Sequence, residues 1–286
     1  MKLSIIVTTH DKQWLIGTVV DAILKYTITP FELVMVYDGC KDKSREIVEK
    51  VLNNYNSRIG ENQLIKYIPV ETPDVHEVKA NNAGMRASSG EYFLLLQDDM
   101  VPNERGWDIR LMRPMEVWQD IFAISARNAY NIYPGIQVIR DLIGRVEDDT
   151  PRGTYDINTR CLVRIRDTIN RGPLCMRSSS VVKLNYLDEI FAPSDCDDVD
   201  ICLRAKLEYG WKCGVYPIDY LSDLSWGTAR IKAGLNALGV ENETTKTYKD
   251  DFNKRVYKNW CLITKKYGHT FGLQKKNEDR LLEVVI

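Results

Sequence analysis

The sequence has few histidines and no closely paired cysteines. Its 286 residues include 3 histidines, His10, His76 and His269, which lie far apart, and 7 cysteines, none of them spaced as Cys-x-x-Cys. This spacing argues against a zinc site with mixed cysteine and histidine ligands. The odd number and scattered positions of the cysteines instead favour free thiols in a reducing compartment.

Long hydrophobic runs are also missing. No segment approaches the roughly 20 apolar residues that a membrane-spanning helix needs. Met1–Ser4 leads straight into a strand-like segment, without the charged leader and apolar stretch of a signal peptide. We therefore expect a soluble, cytoplasmic protein, and peripheral contact with a membrane stays open.

Neither sign of charge dominates. The chain has 39 basic and 40 acidic side chains, so nothing biases it as a whole towards nucleic acid or an anionic membrane. We expect no nucleic-acid partner. No Gly-x-Gly-x-x-Gly follows the first strand-like segment and no lysine-containing phosphate loop occurs, which argues against the usual dinucleotide and P-loop folds.

What the sequence does have is a regular alternation of strand and helix patterns in its first hundred residues. The predicted strands are Leu3–Val7, Phe31–Val36, Leu64–Ile68 and Glu91–Leu96, and the predicted helices are Trp14–Tyr26, Ser44–Leu52 and Val75–Ala87. Such alternation predicts right-handed crossovers. The expected fold class is α/β, with a mostly parallel, doubly wound central sheet flanked by helices.

The strand predicted at Glu91–Leu96 stops in two adjacent acids, Asp98 and Asp99. Open α/β sheets place their ligands at the carboxyl edge, which is where these acids should emerge. Two neighbouring carboxylates repel each other unless a cation lies near them, and their oxygens suit Mg²⁺ or Mn²⁺. The alternative is a solvated acidic turn.

Thr8, Thr9 and Asp38 also follow predicted strands, so they should lie at the same edge of the sheet. A carboxylate at the end of the second strand suits hydrogen bonds from a base or a ribose. Asp38 has an alternative role, which is to cap the turn before Gly39.

A second acidic cluster, Asp195–Asp200, opens a predicted helix that ends at Gly210. The helix dipole explains one or two acids at this end but not four. If Asp197 caps the helix, Asp200 can reach back to it as in a capping box, which leaves Asp198 pointing elsewhere. Asp198 is therefore the first choice for a functional carboxylate, Asp197 the second, and Asp200 is mostly structural.

Two further segments have weaker patterns. The irregular segment at residues 127–171 is rich in arginine and tyrosine, and we interpret it as an acceptor-binding segment, with disorder as the alternative. Beyond Thr228, helical patterns at Ile231–Leu238 and Tyr248–Tyr267 predict a small helical extension at the carboxyl terminus.

In this order, the motifs resemble those of the inverting glycosyltransferases of family 2, which have the GT-A fold. The resemblance spans roughly residues 1–227. It rests on five segments: Leu3–Thr9, Glu32–Ser44, Asn81–Ala87 with Gly90–Tyr92, Leu96–Asp99, and Tyr186–Glu189 with Asp197–Arg204.

The resemblance implies a GT-A domain at 1–227, with a nucleotide-binding half at 1–100 and an acceptor-binding half at 101–227, followed by the extension at 228–286. It implies transfer of a sugar, with inversion, from a nucleotide sugar to a glycan, lipid-linked or protein-linked acceptor. The residues it assigns to the donor are Thr8, Thr9, Asp38, Asn82 and Asp98, those it assigns to Mn²⁺ or Mg²⁺ are Asp99 and Asp223, and those it assigns to catalysis are Asp198 as general base and Asp197.

Three positions depart from the family pattern. Tyr37 replaces the first acid of the nucleotide-binding turn, Gln97 stands where the first acid of the metal motif often lies, and Asp223 falls at the place of a metal-binding histidine. Two rival functions follow. One is a metal-dependent nucleotidyltransferase, although Thr8–Lys12 offers little to hold a triphosphate. The other is a nucleotide-sugar or glycan-binding module of the same fold without turnover.

Overall fold

A computed structural model describes residues 2–56, 63–127, 129–132, 143–145, 162–222, 243–267 and 279–281. Its strands are β1 Leu3–Thr9, β2 Phe31–Asp38, β3 Leu64–Thr72, β4 Tyr92–Gln97, β5 Val101–Pro102, β6 Ile121–Ser125, β7 Ala129–Ile132, β8 Ile143–Arg145, β9 Leu162–Arg166, β10 Thr168–Ile169, β11 Leu174–Arg177, β12 Lys212–Val215, β13 Tyr220–Leu221 and β14 Asp279–Leu281. Its helices are α1 Ile16–Tyr26, α2 Ser44–Asn56, α3 His76–Ala87, α4 Trp107–Val117, α5 Ser178–Lys183, α6 Asp197–Tyr209 and α7 Glu243–Tyr267, with a short 3-10 helix at Glu189–Phe191.

The main sheet has the strand order β14-β9-β12-β6-β11-β4-β1-β2-β3. The four strands of the first half, β3, β2, β1 and β4, are all parallel to their neighbours within that half. The second half is mixed, because β11 runs antiparallel to both β4 and β6, and β9 runs antiparallel to β12. The expected α/β fold with a largely parallel central sheet is confirmed.

Helices cover both faces of the sheet. One face of β1 and β2, including Ile5 and Leu33, packs with residues of α1, α2 and α4, whereas the other face, including Ile6 and Val34, packs with α3, α5 and α6. This two-sided burial explains why the first strands are apolar along their length instead of alternating with polar residues. At Gly84 in α3 an added Cβ would lie 2.5 Å from a side-chain methyl of Ile6, so glycine allows this helix to approach the sheet.

The sequence patterns did not predict α4. The helix contains Pro114, which normally argues against a helix interior, and Gly106 precedes it with a φ of 81°. Burial of Trp107 and Leu111 in the core on the α1 side supports the helix instead. Tertiary packing therefore outweighs the local signal at this element.

The described part of the carboxyl-terminal extension packs on the rest of the chain. Ile263 and Tyr267 of α7 join Phe191, Val199 and Leu203 in a separate apolar cluster, and β14 pairs with β9 at the sheet edge. Among the described residues, no helix combines the length and apolar composition of a membrane span. The cysteines that the structure describes are free thiols.

Candidate active site

A pocket at the carboxyl edge of the sheet collects residues from the ends of three parallel strands. Five of the residues that sequence reasoning assigned to donor or metal line it: Thr8, Thr9, Asp38, Asp98 and Asp99. These strand ends lie side by side because β2, β1 and β4 are adjacent and parallel. The arrangement is the one that open α/β folds use for ligands.

Asp98 is held by the loop that follows β1. One carboxylate oxygen lies 3.5 Å from the Lys12 ammonium nitrogen, and the other accepts a hydrogen bond of 3.3 Å from the His10 amide. Burial raises the pKa of Asp98 to about 6, although Lys12 opposes the rise. Lys12 is itself 2% exposed, so a cation and a carboxylate share a poorly solvated corner of the pocket.

Asp99 has a buried carboxylate oxygen that suits a metal ion. Burial raises the pKa of Asp99, and its Oδ1 atom is buried with no hydrogen-bond partner among the described residues. An unpartnered buried carboxylate oxygen is costly, and a hard divalent cation would satisfy it. The residues present therefore fit Mn²⁺ or Mg²⁺. The second predicted ligand, Asp223, lies outside the described residues.

Asp38 lines the pocket and also supports its wall. Its carboxylate accepts hydrogen bonds from the Thr72 hydroxyl at 2.8 Å, the Val75 amide at 2.7 Å and the His76 amide at 2.8 Å. These bonds fix the turn between β3 and α3. The support of this turn was not predicted, and the alternative role of Asp38, capping the turn before Gly39, stays a prediction.

Two residues of the sequence motifs lie away from this pocket. Tyr37, which stands in place of the first acid of the nucleotide-binding turn, is buried in the core, where its hydroxyl lies 2.9 Å from that of Tyr67. Its side chain therefore does not take the place of that acid in the pocket. Asn82 donates to the Leu187 carbonyl at 2.9 Å and accepts from the Leu187 amide at 3.1 Å. Because both ends of its amide serve the fold, the placement of Asn82 gives its predicted donor role no support.

Asp198 lines a second cavity, of about 280 Å³, beside the first. The two cavities share Glu77 and Gln97 as lining residues. One oxygen of Asp198 accepts from the Val199 amide at 2.9 Å, and the other accepts from the Arg171 amide at 3.1 Å. These bonds fix the carboxylate at the wall of the cavity.

Asp197 lies behind this wall. Its side chain is fully buried, 3.1 Å from the Arg171 guanidinium, and it does not line either cavity. Burial raises the pKa of Asp197, and the charge of Asp198 adds to the effect although Arg171 opposes it. Of the two candidate catalytic acids, only Asp198 lines either of these cavities.

The predicted capping box is wrong. Helix α6 has Cys196 at its N-cap, with a φ of 67° and no side-chain cap, and not Asp197. Asp200 accepts from Arg204 Nε at 2.7 Å, from Lys266 Nζ at 2.7 Å and from the Tyr267 hydroxyl at 2.5 Å. Asp200 thus ties α6 to α7 and does not reach back to the cap.

Helix α7 contributes to both cavities, a role that the sequence did not indicate. Arg255 lines the first cavity, and Val256 and Trp260 line the second. The Asn259 side chain fastens the helix beside the site by donating to the carbonyls of Phe191, Ser194 and Asp195 at 2.9–3.0 Å. The loop that carries these carbonyls leads into the segment of Asp198.

Sequence reasoning missed several other lining residues. His10 and Lys12 follow β1 directly, so the rule that selected Thr8 and Thr9 would also have found them. Glu77 and Arg171 meet across the site at 3.2 Å although they are 94 positions apart. No local pattern signals that pair.

Comparison with known proteins places the chain in a family. The fold, with acids of β4 beside the end of β1 and a second acidic cluster at the start of α6, is that of GT-A glycosyltransferases. The model of "Glycosyl transferase family 2" matches residues 4–172. The chain therefore belongs to glycosyltransferase family 2.

Two proteins with similar sequences are also named as glycosyltransferases. An uncharacterized glycosyltransferase of Nostoc sp. is 25% identical over 135 residues, which cover 47% of this chain and 38% of that protein. Poly(ribitol-phosphate) beta-N-acetylglucosaminyltransferase TarS of Staphylococcus aureus is 29% identical over 101 residues, which cover 35% of this chain and 16% of TarS. The matched regions thus span well under half the length of these relatives.

Solved structures show the shared fold. TarS 1–349 with UDP-GlcNAc aligns with a TM-score of 0.52 and 17% identity, covering 78% of this chain and 58% of that one. The mannosyltransferase PcManGT of Pyrobaculum calidifontis, solved with GDP-Man and Mn²⁺, aligns with a TM-score of 0.56 and 14% identity, covering 95% of this chain and 76% of that one. At these identities the likeness extends to the fold alone.

Proposed function

We propose that the protein transfers a hexose or deoxyhexose, with inversion, from a nucleoside-diphosphate sugar to a hydroxyl group of a glycan, lipid-linked or protein-linked acceptor. The observation that carries the proposal is the pair of adjoining cavities. One contains Asp98 and Asp99, the other contains Asp198, and Glu77 and Gln97 line both. A donor in the first cavity and an acceptor in the second would meet at this shared wall.

Asp198 is the proposed general base. An inverting transfer needs a carboxylate that accepts the proton of the acceptor hydroxyl as this oxygen attacks the anomeric carbon from the face opposite the leaving group. Asp198 lines the cavity, and backbone amides of Arg171 and Val199 hold its oxygens. The bond between the sugar and the nucleoside diphosphate then breaks, and its electrons leave with the diphosphate.

Asp99 is the proposed principal ligand of Mn²⁺ or Mg²⁺, with Asp98 as its neighbour and Asp223 as a further candidate. When bound, the ion would offset the negative charge that builds on the departing diphosphate. Lys12, buried beside Asp98, places a fixed positive charge in the same cavity. Both sources of charge would favour a diphosphate there.

The names of similar proteins suggest which donors to test. UDP and UDP-GlcNAc are bound in TarS structures, and GDP-Man and Mn²⁺ in PcManGT. The test is release of free UDP or GDP from a panel of UDP- and GDP-sugars, with and without Mn²⁺, in the presence of glycan and lipid-linked acceptors. We expect release that depends on Mn²⁺ and is stimulated by one acceptor class.

The same assay separates the rival functions. Binding of a nucleotide sugar without release of UDP or GDP, with every acceptor, would indicate a binding module without turnover. Release of pyrophosphate from a nucleoside triphosphate and a sugar phosphate would indicate a nucleotidyltransferase. Either result would overturn the proposed transfer.

A further inference from the structure

Glu77 and Gln97 occupy the boundary between the two cavities. If the proposed function holds, as this inference requires, the transferred sugar lies between the diphosphate and the acceptor hydroxyl. The sugar must then contact the wall that the cavities share, which Glu77 and Gln97 form in part. Neither residue belongs to the donor, metal or base assignments above.

Both side chains retain hydrogen-bonding capacity for a ligand. The Gln97 amide donates to Glu77 Oε1 at 2.9 Å, and its oxygen receives a long contact of 3.4 Å from Arg127 Nη1. An amide has two N–H donors and an oxygen with two lone pairs, so this pattern uses part of the Gln97 capacity. The Glu77 side chain is 36% exposed, which leaves its carboxylate within reach of a bound molecule.

The wall is fixed relative to the proposed base. Nη2 of Arg171 lies 3.2 Å from Glu77 Oε2 and 3.1 Å from Asp197 Oδ1, and the Arg171 amide holds Asp198. The next residue, Gly172, has a φ of +70°, and an added Cβ there would lie 2.7 Å from the Gln97 oxygen. This close approach of the backbone restricts the position of the Gln97 amide, so a ligand would contact an ordered pair of polar groups.

We propose that Glu77 and Gln97 bind the hydroxyl or acetamido substituents of the transferred sugar and thereby decide which sugar the enzyme accepts. A site built to hydrogen-bond such groups rejects a sugar that lacks them, because its own polar atoms are then left unpaired. An amide next to a carboxylate provides both donors and acceptors, which suits a polyhydroxylated ring.

The test compares affinities for nucleotide sugars with affinities for the bare nucleotides. Isothermal titration calorimetry with Mn²⁺ would measure UDP, UDP-glucose, UDP-galactose, UDP-GlcNAc, GDP and GDP-mannose binding to the wild type, Gln97→Leu and Glu77→Gln. We expect both variants to lose about 10- to 100-fold in affinity for the preferred nucleotide sugar. A loss of this size, about 10- to 100-fold, is typical when a hydrogen bond to a charged or buried polar group is removed. Affinity for UDP or GDP should change by less than about threefold.

Glu71→Gln is the matched control. It makes the same chemical change at an exposed glutamate that pairs with Arg45 at 2.9 Å, outside both cavities. We expect wild-type affinity for every ligand. If Gln97→Leu or Glu77→Gln unfolds, Gln97→Glu keeps the shape of the side chain, and we expect it to reorder the affinities of the four nucleotide sugars.

The outcomes separate this inference from the proposed function. Equal losses for nucleotide sugar and bare nucleotide, or an unchanged order of sugars in Gln97→Glu, would overturn the assignment of Glu77 and Gln97 and leave the transfer reaction standing. A wild-type protein that binds none of the nucleotide sugars would overturn the proposed function itself, and this inference with it.

Discussion

Asp99 at the end of β4 and Asp200 in the first turn of α6 are the same residue type in opposite environments. At the end of β4, Asp99 has a buried oxygen with no partner among the described residues, and burial raises the pKa of both Asp98 and Asp99. At the start of α6, Asp200 has three side-chain partners, and backbone amides hold Asp198. The unpartnered oxygen of Asp99 suits a ligand, whereas Asp200, with its three side-chain partners, stabilises the fold.

The largest expected effect comes from Asp198→Asn, which tests the acid of α6 that lines a cavity. Loss of a general base typically slows a reaction by about 10²- to 10⁴-fold. We expect kcat to fall in that range while the affinity for the nucleotide sugar stays within about threefold of the wild type. Stopped assays of UDP or GDP release, with calorimetry of donor binding, would measure both. Undiminished turnover would remove Asp198 from the mechanism.

Asp200→Ala tests the structural side of the same helix. The change removes the carboxylate partner of Arg204, whose side chain is 12% exposed, and detaches Lys266 and Tyr267 of α7 from α6. Removal of one partner from a buried ion pair costs about 3–5 kcal/mol. Urea unfolding should show a loss of that size. Asp198→Asn should lose less, about 1–3 kcal/mol, because its amide oxygen keeps one backbone N–H partner and leaves the other N–H unpaired. Equal losses in the two variants would contradict the contrast.

Asp99→Asn tests whether the acid at the end of β4 with an unpartnered oxygen binds a metal ion. Because the carboxylate would supply a charged oxygen ligand, we expect the variant to lose binding of Mn²⁺ by about 10-fold or more. Electron paramagnetic resonance of Mn²⁺ titrated into wild type and variant measures this without turnover. A chelator should also stop the wild-type reaction. Asp120→Asn, at a pair with Lys212 away from both cavities, serves as the control.

A further expected effect is a pH dependence of stability that originates at Asp98. Its pKa of about 6 in the folded state lies above the ordinary value of 3.8, so between these values the folded state binds more protons than the unfolded state. Stability from this group therefore falls as the pH rises from about 4 to about 6, by up to about 3 kcal/mol, and stays lower above that range. Urea unfolding at several pH values should show this component in the wild type and not in Asp98→Asn. A carboxyl signal of Asp98 that titrates near pH 4 in NMR would contradict it.

The sequence alone predicted the parallel half of the sheet well. Continuous apolar strands at β1, β2 and β4, and helices α1 and α3 between them, have strong periodic patterns that tertiary packing did not override. Helix α4 was missed because Pro114 weakens its local pattern, and its stability comes from burial of Trp107. Prediction therefore succeeded where local and tertiary preferences agreed.

For the site, the order of strands was enough to bring Thr8, Thr9, Asp38, Asp98 and Asp99 together, because adjacent parallel strands end at one edge. Asn82 shows the limit of this reasoning. It lies in a suggestive motif, yet its side chain bonds to Leu187, 105 positions away. A motif does not reveal whether the fold has already used the polar atoms of its residues.

The sequence by itself determined the fold class, the family resemblance and the edge at which the acids of the strands gather, because the periodicity of strands and helices and their alternation along the chain are local properties. Only the tertiary structure decided which of the neighbouring acids Asp197, Asp198 and Asp200 faces a cavity. It also decided that α7 forms part of the site and that Glu77 meets Gln97 and Arg171. Those outcomes depend on burial and on partners that are distant along the chain, and adjacent positions in a sequence carry no record of either.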